Sequence, residues 1–336
     1  MLRAHMLNSS RIDVSAPLRE LAALRRLPVG TCVDMAALAG DPEYAAVLAR
    51  EFDMVVAENA FKPHSVWMGP REYDFSQTNR LAEFASRHHM TLRGHTLLWH
   101  QSVPKWLRTA PVAQIPGLVR EYIHAIVGRY RGVITVWDVV NEALTDGEAS
   151  GMRTESFWYK TLGPDYVRLA FTWAHEADPD VRLFYNDYEA EDMGAKSNAV
   201  FGLVKELKSL GVPIHGVGLQ AHLINGWRAS EDNRTNVRRI AGLGLEWQVT
   251  EADIRMQLEG NPPSDEQVEV QAAGYRDLME LCLTEPGCTG FVTWGFSDAH
   301  SWIPGFRKGW GAALPFDIHF RPKPAYLALS DALRGC

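Results

Sequence analysis

The sequence predicts a single α/β domain, a (β/α)8 TIM barrel, on three observations. Eight short β-rich runs alternate with longer helical patterns along the 336 residues. No linker, low-complexity tract or charge block divides the chain. Polar and aromatic side chains collect where the β-type runs end, the rim on which such barrels carry their chemistry. Length alone allows two average domains, but single barrels routinely reach this size. An apolar fraction of 46% excludes a disordered or fibrous chain and supplies a large core.

The β-type runs cover 29–34, 54–60, 91–99, 133–142, 182–188, 216–223, 246–254 and 289–296. Between them the period changes to that of a helix. Over 115–130, Ile115, Leu118, Val119, Tyr122, Ile123, Ile126, Val127 and Tyr130 form one apolar face. The stretch 196–210 repeats this through Val200, Val204, Leu207 and Leu210, then stops at Gly211 as a helix C-terminus should. A third, 267–282, carries Val268, Tyr275, Leu278, Met279 and Cys282. Residues 1–27 read as an extension and first helix packing on the barrel, and 28–336 as the barrel itself. A doubly wound sheet is the competing architecture.

Composition closes off several classes of function. With 34 Lys+Arg against 41 Asp+Glu the net charge is −7, whereas a nucleic-acid partner demands a basic face. No run of 18 or more apolar residues would cross a membrane. The segment MLRAHMLNSSRIDVSAPL has charge but no apolar h-region, so it is no signal peptide as it stands. His5-Met6 reads equally as a scar behind which a leader was removed. The expectation is a secreted or periplasmic protein, with the cytoplasm left open, and a monomer by default. The four cysteines are Cys32, Cys282, Cys288 and Cys336. Cys282 and Cys288, six apart at a helix–strand turn, either close a small disulfide loop or remain two buried thiols, and spacing leaves both open. Asn8 and Asn233 each head a glycosylation sequon.

Two carboxylates stand out. Glu142 follows the apolar strand VITVWDVVN and Glu251 follows EWQVT, on strands four and seven, which face each other across an eight-stranded mouth. Such a pair suits glycosidic cleavage, where one group protonates the leaving oxygen and the other stabilises or attacks the oxocarbenium-like centre. His95, His100 and His222 lie at strand exits, but no HExxH or His-x-His pattern accompanies them, so sugar contact or an orienting role is expected and no metal. GVGLQA (216–221) fits GxGxxA only nominally, since it runs on as a strand instead of opening a helix, and no dinucleotide cofactor is expected. Glu58 and Lys62, four apart after strand two, form either a surface ion pair or a clamp for sugar hydroxyls. The 11 tryptophans divide: Trp158 and Trp173 fall in helical patterns, while Trp99, Trp294 and Trp302 lie at or beyond strand exits, where flat faces meet pyranose rings.

These motifs resemble glycoside hydrolase family 10, the endo-β-1,4-xylanases, from about residue 29 to 333. The likeness rests on AENAFKP (57–63), GHTLLWH (94–100), WDVVNEA (137–143), LFYNDY (183–188), GLQAHL (218–223), VTEADI (249–254), WGFSDAHSWIPGF (294–306) and FRPKPAYLAL (320–329). The resemblance implies Glu142 as acid/base and Glu251 as nucleophile, acting on xylan and xylo-oligosaccharides without a cofactor. It implies Asn141 as a partner of the sugar 2-hydroxyl, and Glu58, Asn59 and Lys62 as a glycone clamp. His95, Trp99, His222 and Gln220 would wall the cleavage subsite, with Asp253 in the nucleophile motif beside them. Trp294 and Trp302 would be ring platforms, and Tyr188 the aromatic on the aglycone side. It also favours a Cys282–Cys288 disulfide. Three departures stand: Gln101-Ser102 where Ser or Asn then Gln is usual, Ala252 for Leu, and Arg307, Lys308 and Trp310 in the last strand–helix loop. The rival readings are a β-1,4-glucanase and a non-catalytic carbohydrate-binding barrel.

Overall fold

The structure, a computed structural model, describes residues 16–258 and 262–335. The eight expected strands are present as β1 (Val29–Val33), β2 (Met54–Ala57), β3 (Thr91–Trp99), β4 (Ile134–Asn141), β5 (Arg182–Asp187), β6 (Gly216–Leu219), β7 (Glu246–Gln257) and β8 (Cys288–Thr293). Each runs parallel to its neighbours, and β8 pairs with both β7 and β1, which closes the barrel. β1 and β2 are buried at every position, which is why parallel strands read as unbroken apolar runs. A short strand, His222–Ile224, continues beyond β6 and pairs with Asp253, Ile254 and Arg255 of β7.

Helices fill the crossovers. Here α1 is Leu18–Arg25, α2 Ile115–Arg129, α3 Ala195–Ser209, α4 Asp265–Thr284 and α5 Pro324–Arg334. The buried face of α2 is Ile115, Val119, Tyr122, Ile123, Ile126 and Val127. α3 ends where Gly211 takes a φ of +71°, a left-handed conformation that glycine adopts without a Cβ clash. α4 starts at a capping box in which Ser264 and Gln267 satisfy each other's backbone N–H. Glu51, 3% exposed, accepts from the Leu18 N–H at 3.1 Å, the Tyr326 hydroxyl at 2.9 Å and Arg50 Nε at 2.7 Å. One carboxylate thereby ties α1 and α5 beneath the strands' N-terminal ends.

Two expectations need correction. Cys282 and Cys288 are free thiols and form no disulfide. Cys282 is buried in α4, while Cys288 opens β8, and its Sγ donates to the Gly290 carbonyl at 3.7 Å instead of being bonded to sulfur. Burial, then the neighbouring Cys288, pushes the Cys282 thiol well above its ordinary pKa, so it stays protonated. The Asn233 sequon is shut in: its side chain is 1% exposed and donates to the Glu191 carbonyl at 3.0 Å. Asn8, the His5-Met6 scar and Cys336 lie outside the described residues.

Candidate active site

The C-terminal rim is a cleft of about 580 Å3. Thirteen of the residues singled out from the sequence line it: Glu58, Asn59, Lys62, His95, Trp99, Asn141, Glu142, Tyr188, Gln220, His222, Glu251, Trp294 and Trp302. Asp253 does not; it is fully buried and lies behind His222. Asn186 was absent from that set and Gln101 stood only as a departure from the family pattern, yet Gln101 lines the cleft and Asn186 sits directly under it.

β4 delivers Asn141 and Glu142 together. Glu142 follows the last strand residue with a φ of +56°, a left-handed conformation costing about 1–2 kcal/mol for a side chain of this kind. Its carboxylate is 7% exposed and takes three hydrogen bonds. Trp99 Nε1 donates to Oε2 at 2.7 Å, and Asn141 Nδ2 and Gln220 Nε2 donate to Oε1 at 3.0 and 3.1 Å. Trp158, expected from its helical pattern to be packing, donates its Nε1 to the Trp99 carbonyl at 2.9 Å and so fixes the tryptophan that holds Glu142. His100 Nδ1 lies 3.9 Å from Glu142 Oε2; burial, then Arg153, pushes this histidine down to about 4 and keeps it neutral near neutral pH.

Glu251 sits in a charged setting. Asn186 Nδ2 donates to its Oε1 at 2.7 Å and His222 Nε2 lies 3.2 Å from its Oε2. The other ring nitrogen of His222 is 2.8 Å from Asp253 Oδ2, which also accepts from Trp302 Nε1 at 2.8 Å. Burial works against a charge on His222, but Asp253 and Glu251 outweigh it and raise its pKa to about 10. Burial likewise pushes Glu251 up, and His95 and His222 overcome it, so Glu251 is held below the usual carboxylate range and is ionised.

Below the cleft runs a buried ionic network. Arg93, 1% exposed inside the barrel, binds Asp138 through two nitrogens and Gln248 Oε1 at 2.6 Å. Asp138 in turn holds His95 Nδ1 at 3.0 Å, and that nitrogen is 3.9 Å from Glu251. The only sign of this network in the sequence is a charge inside each of two otherwise apolar runs. Asn186 bridges the two halves of the site, donating to Asn141 Oδ1 at 2.8 Å as well as to Glu251. It is fully buried and fits because position 218 is glycine: a Cβ there would lie 2.1 Å from Asn186 Oδ1.

The cleft ends are also built. Lys62 Nζ donates to Asn59 Oδ1 at 3.0 Å and stands 4.7 Å from the Trp99 ring centre. Burial lowers its pKa, with Glu251 and Glu58 opposing. Tyr188 is pinned at both ends, its hydroxyl donating to Asp146 at 2.5 Å and its ring standing 4.2 Å from Lys196 Nζ. Ser102, at the departure noted above, is buried and hydrogen-bonded to His64 Nδ1 at 2.7 Å, so Gln101 is the side chain that reaches the cleft. Among the described residues no group of side chains has the makings of a metal site.

Residues 17–332 match the family described as Glycosyl hydrolase family 10. Endo-1,4-beta-xylanase B of Thermotoga neapolitana is 37% identical over 321 residues, covering 94% of this chain and 91% of that protein. A beta-1,4-xylanase of Dictyoglomus thermophilum is 37% identical over 292 residues, covering 84% and 82%. Xylanase 10B of Thermotoga petrophila, solved in complex with xylobiose, superimposes with a TM-score of 0.90 at 37% identity over 95% of this chain and 98% of that one. Closed parallel barrel, rim cleft and matched sequence agree, and the chain belongs to Glycosyl hydrolase family 10.

Proposed function

We propose that the chain is a retaining endo-β-1,4-xylanase, with Glu142 as acid/base and Glu251 as nucleophile. The observation that carries this reading is the pair of buried carboxylates joined through Asn141 and Asn186 in the floor of one open cleft. Xylan lies across the rim. Glu142 gives its proton to the glycosidic oxygen while Glu251 attacks the anomeric carbon, which forms a covalent glycosyl-enzyme and frees the leaving chain. Glu142 then takes a proton from water, the water displaces Glu251, and the configuration is retained. This scheme requires the carboxyl groups about 5–5.5 Å apart, where inversion needs about 6.5–9.5 Å. The different surroundings of the two acids support the assignment, since a nucleophile must be ionised and Glu251 alone has two imidazoles beside it.

Glu58, Asn59 and Lys62 hold glycone hydroxyls, Trp294 and Trp302 stack on sugar faces, and Tyr188 meets the aglycone. Asp253 acts through His222 and Trp302 and not on the sugar. Residues 28–336 act as one catalytic domain and as a monomer, since a single chain supplies every wall of the cleft. A polymeric substrate that crosses no membrane favours a secreted or periplasmic site of action. Initial rates of reducing-sugar release from xylan and from carboxymethylcellulose test the substrate. Xylan should be cleaved at least about tenfold faster, because the Trp302 wall crowds a hydroxymethyl group, a penalty of ~1.4 kcal/mol or more. A faster rate on carboxymethylcellulose would make the chain a glucanase, and no release from either by folded protein would make it a binding barrel.

A further inference from the structure

Glu142 leaves β4 in a left-handed conformation, and its backbone is held there by the neighbouring strand β5. The Glu142 N–H donates to the Asn186 carbonyl at 3.0 Å, and the Ala143 N–H donates to the Tyr185 hydroxyl at 3.1 Å. Side chains alternate along a strand, so β5 presents two different faces. Asn186 points to the cleft floor and Glu251, while Tyr185 and Asp187 point the other way, toward Lys196 on α3. The double displacement scheme makes no use of that outer face.

A chain of buried partners ends on the Tyr185 hydroxyl. That hydroxyl donates to Asp187 Oδ2 at 2.5 Å, and both residues are fully buried. Asp187 Oδ1 accepts from the Tyr188 N–H at 3.0 Å and lies 3.2 Å from Lys196 Nζ. Lys196, itself buried, also donates to the Leu144 carbonyl at 3.2 Å and to Asp146 Oδ1 at 3.0 Å. The chain therefore returns twice to the segment after Glu142, at the Ala143 N–H and at the Leu144 carbonyl. Burial pushes the Asp187 carboxyl up to about 7; Lys196 and Tyr185 oppose this and Glu142 adds to it, so the two acids feel each other. Apolar side chains would fill the same space without the desolvation cost of a buried ion pair. What the polar chain supplies is direction: in a low-dielectric place each bond is strong, and an unmet partner is costly.

We propose that Tyr185 and Asp187, clamped by Lys196, are positioning residues that fix the Glu142 backbone so that its carboxyl meets the glycosidic oxygen. This rests on the reading of Glu142 as acid/base of a xylanase. The test compares a linear xylo-oligosaccharide, whose leaving group needs a proton, with a dinitrophenyl xylobioside, whose leaving group does not. Tyr185→Phe should lower kcat/KM on the oligosaccharide about tenfold or more through kcat, with KM little changed, as expected of a misplaced acid. On the aryl substrate kcat/KM should stay within about twofold while kcat falls, because hydrolysis of the glycosyl-enzyme still needs Glu142 as base. Asp187→Asn should give the same split, since one amide cannot accept from both Tyr185 and Lys196. In a Glu142→Ala background, Tyr185→Phe should change kcat/KM on the oligosaccharide by less than about twofold, because it acts through the missing carboxyl. Urea unfolding shows that each variant is folded at the assay temperature, and Asp187→Asn carries the test if Tyr185→Phe is not. Equal falls in kcat/KM on both substrates, an undiminished effect in the Glu142→Ala background, or full activity of the folded variants on the oligosaccharide would each overturn the proposal. Failure of the wild type to cleave the oligosaccharide would instead remove the xylanase reading beneath it.

Discussion

His222 sits between two carboxylates, and together with His95 it offsets the burial of Glu251 and keeps that group ionised. Its pKa of about 10 lies above the ordinary value of ~6.5, so its contribution to stability is complete below about pH 6.5 and is lost as pH rises toward 10. Glu251 has the opposite sign: its pKa is depressed, so its contribution is present above ~4.3 and is lost as pH falls below that. The thermal midpoint of the wild type should therefore decline from pH 7 to 10, and His222→Gln should flatten that decline; parallel curves would contradict the bridge. Glu142 makes a separate prediction. Glu142→Ala should lower activity on xylan about 100-fold or more, yet spare much of the activity on an aryl xyloside whose leaving group needs no proton. Equal losses on both would remove the acid role. At this scale Glu142 and Glu251 stood out because each comes after an apolar β-type run, although Glu251 lies within the longer strand β7. Asn186 stood in view in the LFYNDY motif, but its importance comes from contacts 45 and 65 residues away, which no local pattern encodes.

Strands hold these side chains in register, and one glycine decides whether they fit. A Cβ at Gly218 of β6 would meet Asn186 Oδ1 at 2.1 Å and Thr250 Cγ2 at 2.8 Å. Gly218→Ala should therefore displace Asn186, lowering kcat about 100-fold through the misplaced carboxylate and stability by about 1–3 kcal/mol through overpacking. Gly202, inside α3 with open space around it, is the control: Gly202→Ala should leave kcat alone and raise stability by up to about 1 kcal/mol. Kinetics on a linear xylo-oligosaccharide and urea unfolding read both. The elements were legible because parallel strands are unbroken apolar runs and the helices keep one face apolar. Their ends were less so. The run 54–60 stops as strand at Ala57, and 216–223 breaks after Leu219, where Ala221 turns with a φ of +60° before His222. These breaks are the rim turns that aim Glu58 and His222. The cysteine spacing fixed how near two residues sit along the chain but not whether their sulfurs are bonded, and both thiols are free.

Across the whole molecule, stability and chemistry occupy opposite ends of the barrel. Glu51 joins α1, α5 and the segment before β2 at the lower end. Glu51→Ala leaves the Leu18 N–H and the Tyr326 hydroxyl buried without an acceptor, which should cost about 1–3 kcal/mol of unfolding free energy in urea while kcat stays unchanged. A loss of kcat without a loss of stability would contradict this division. The closed ring of eight strands was expected from the alternation together with the polar strand exits, with a doubly wound sheet as its competitor. The interior Arg93–Asp138 pair did not, because a charge within an apolar run does not show which strand carries its partner. The central claim is that Glu142 and Glu251 cleave xylan by double displacement, and the anomer first released measures it most directly. Proton NMR during the first minutes of xylo-oligosaccharide hydrolysis should show the β-anomer appear first and then mutarotate; initial release of the α-anomer would contradict the mechanism.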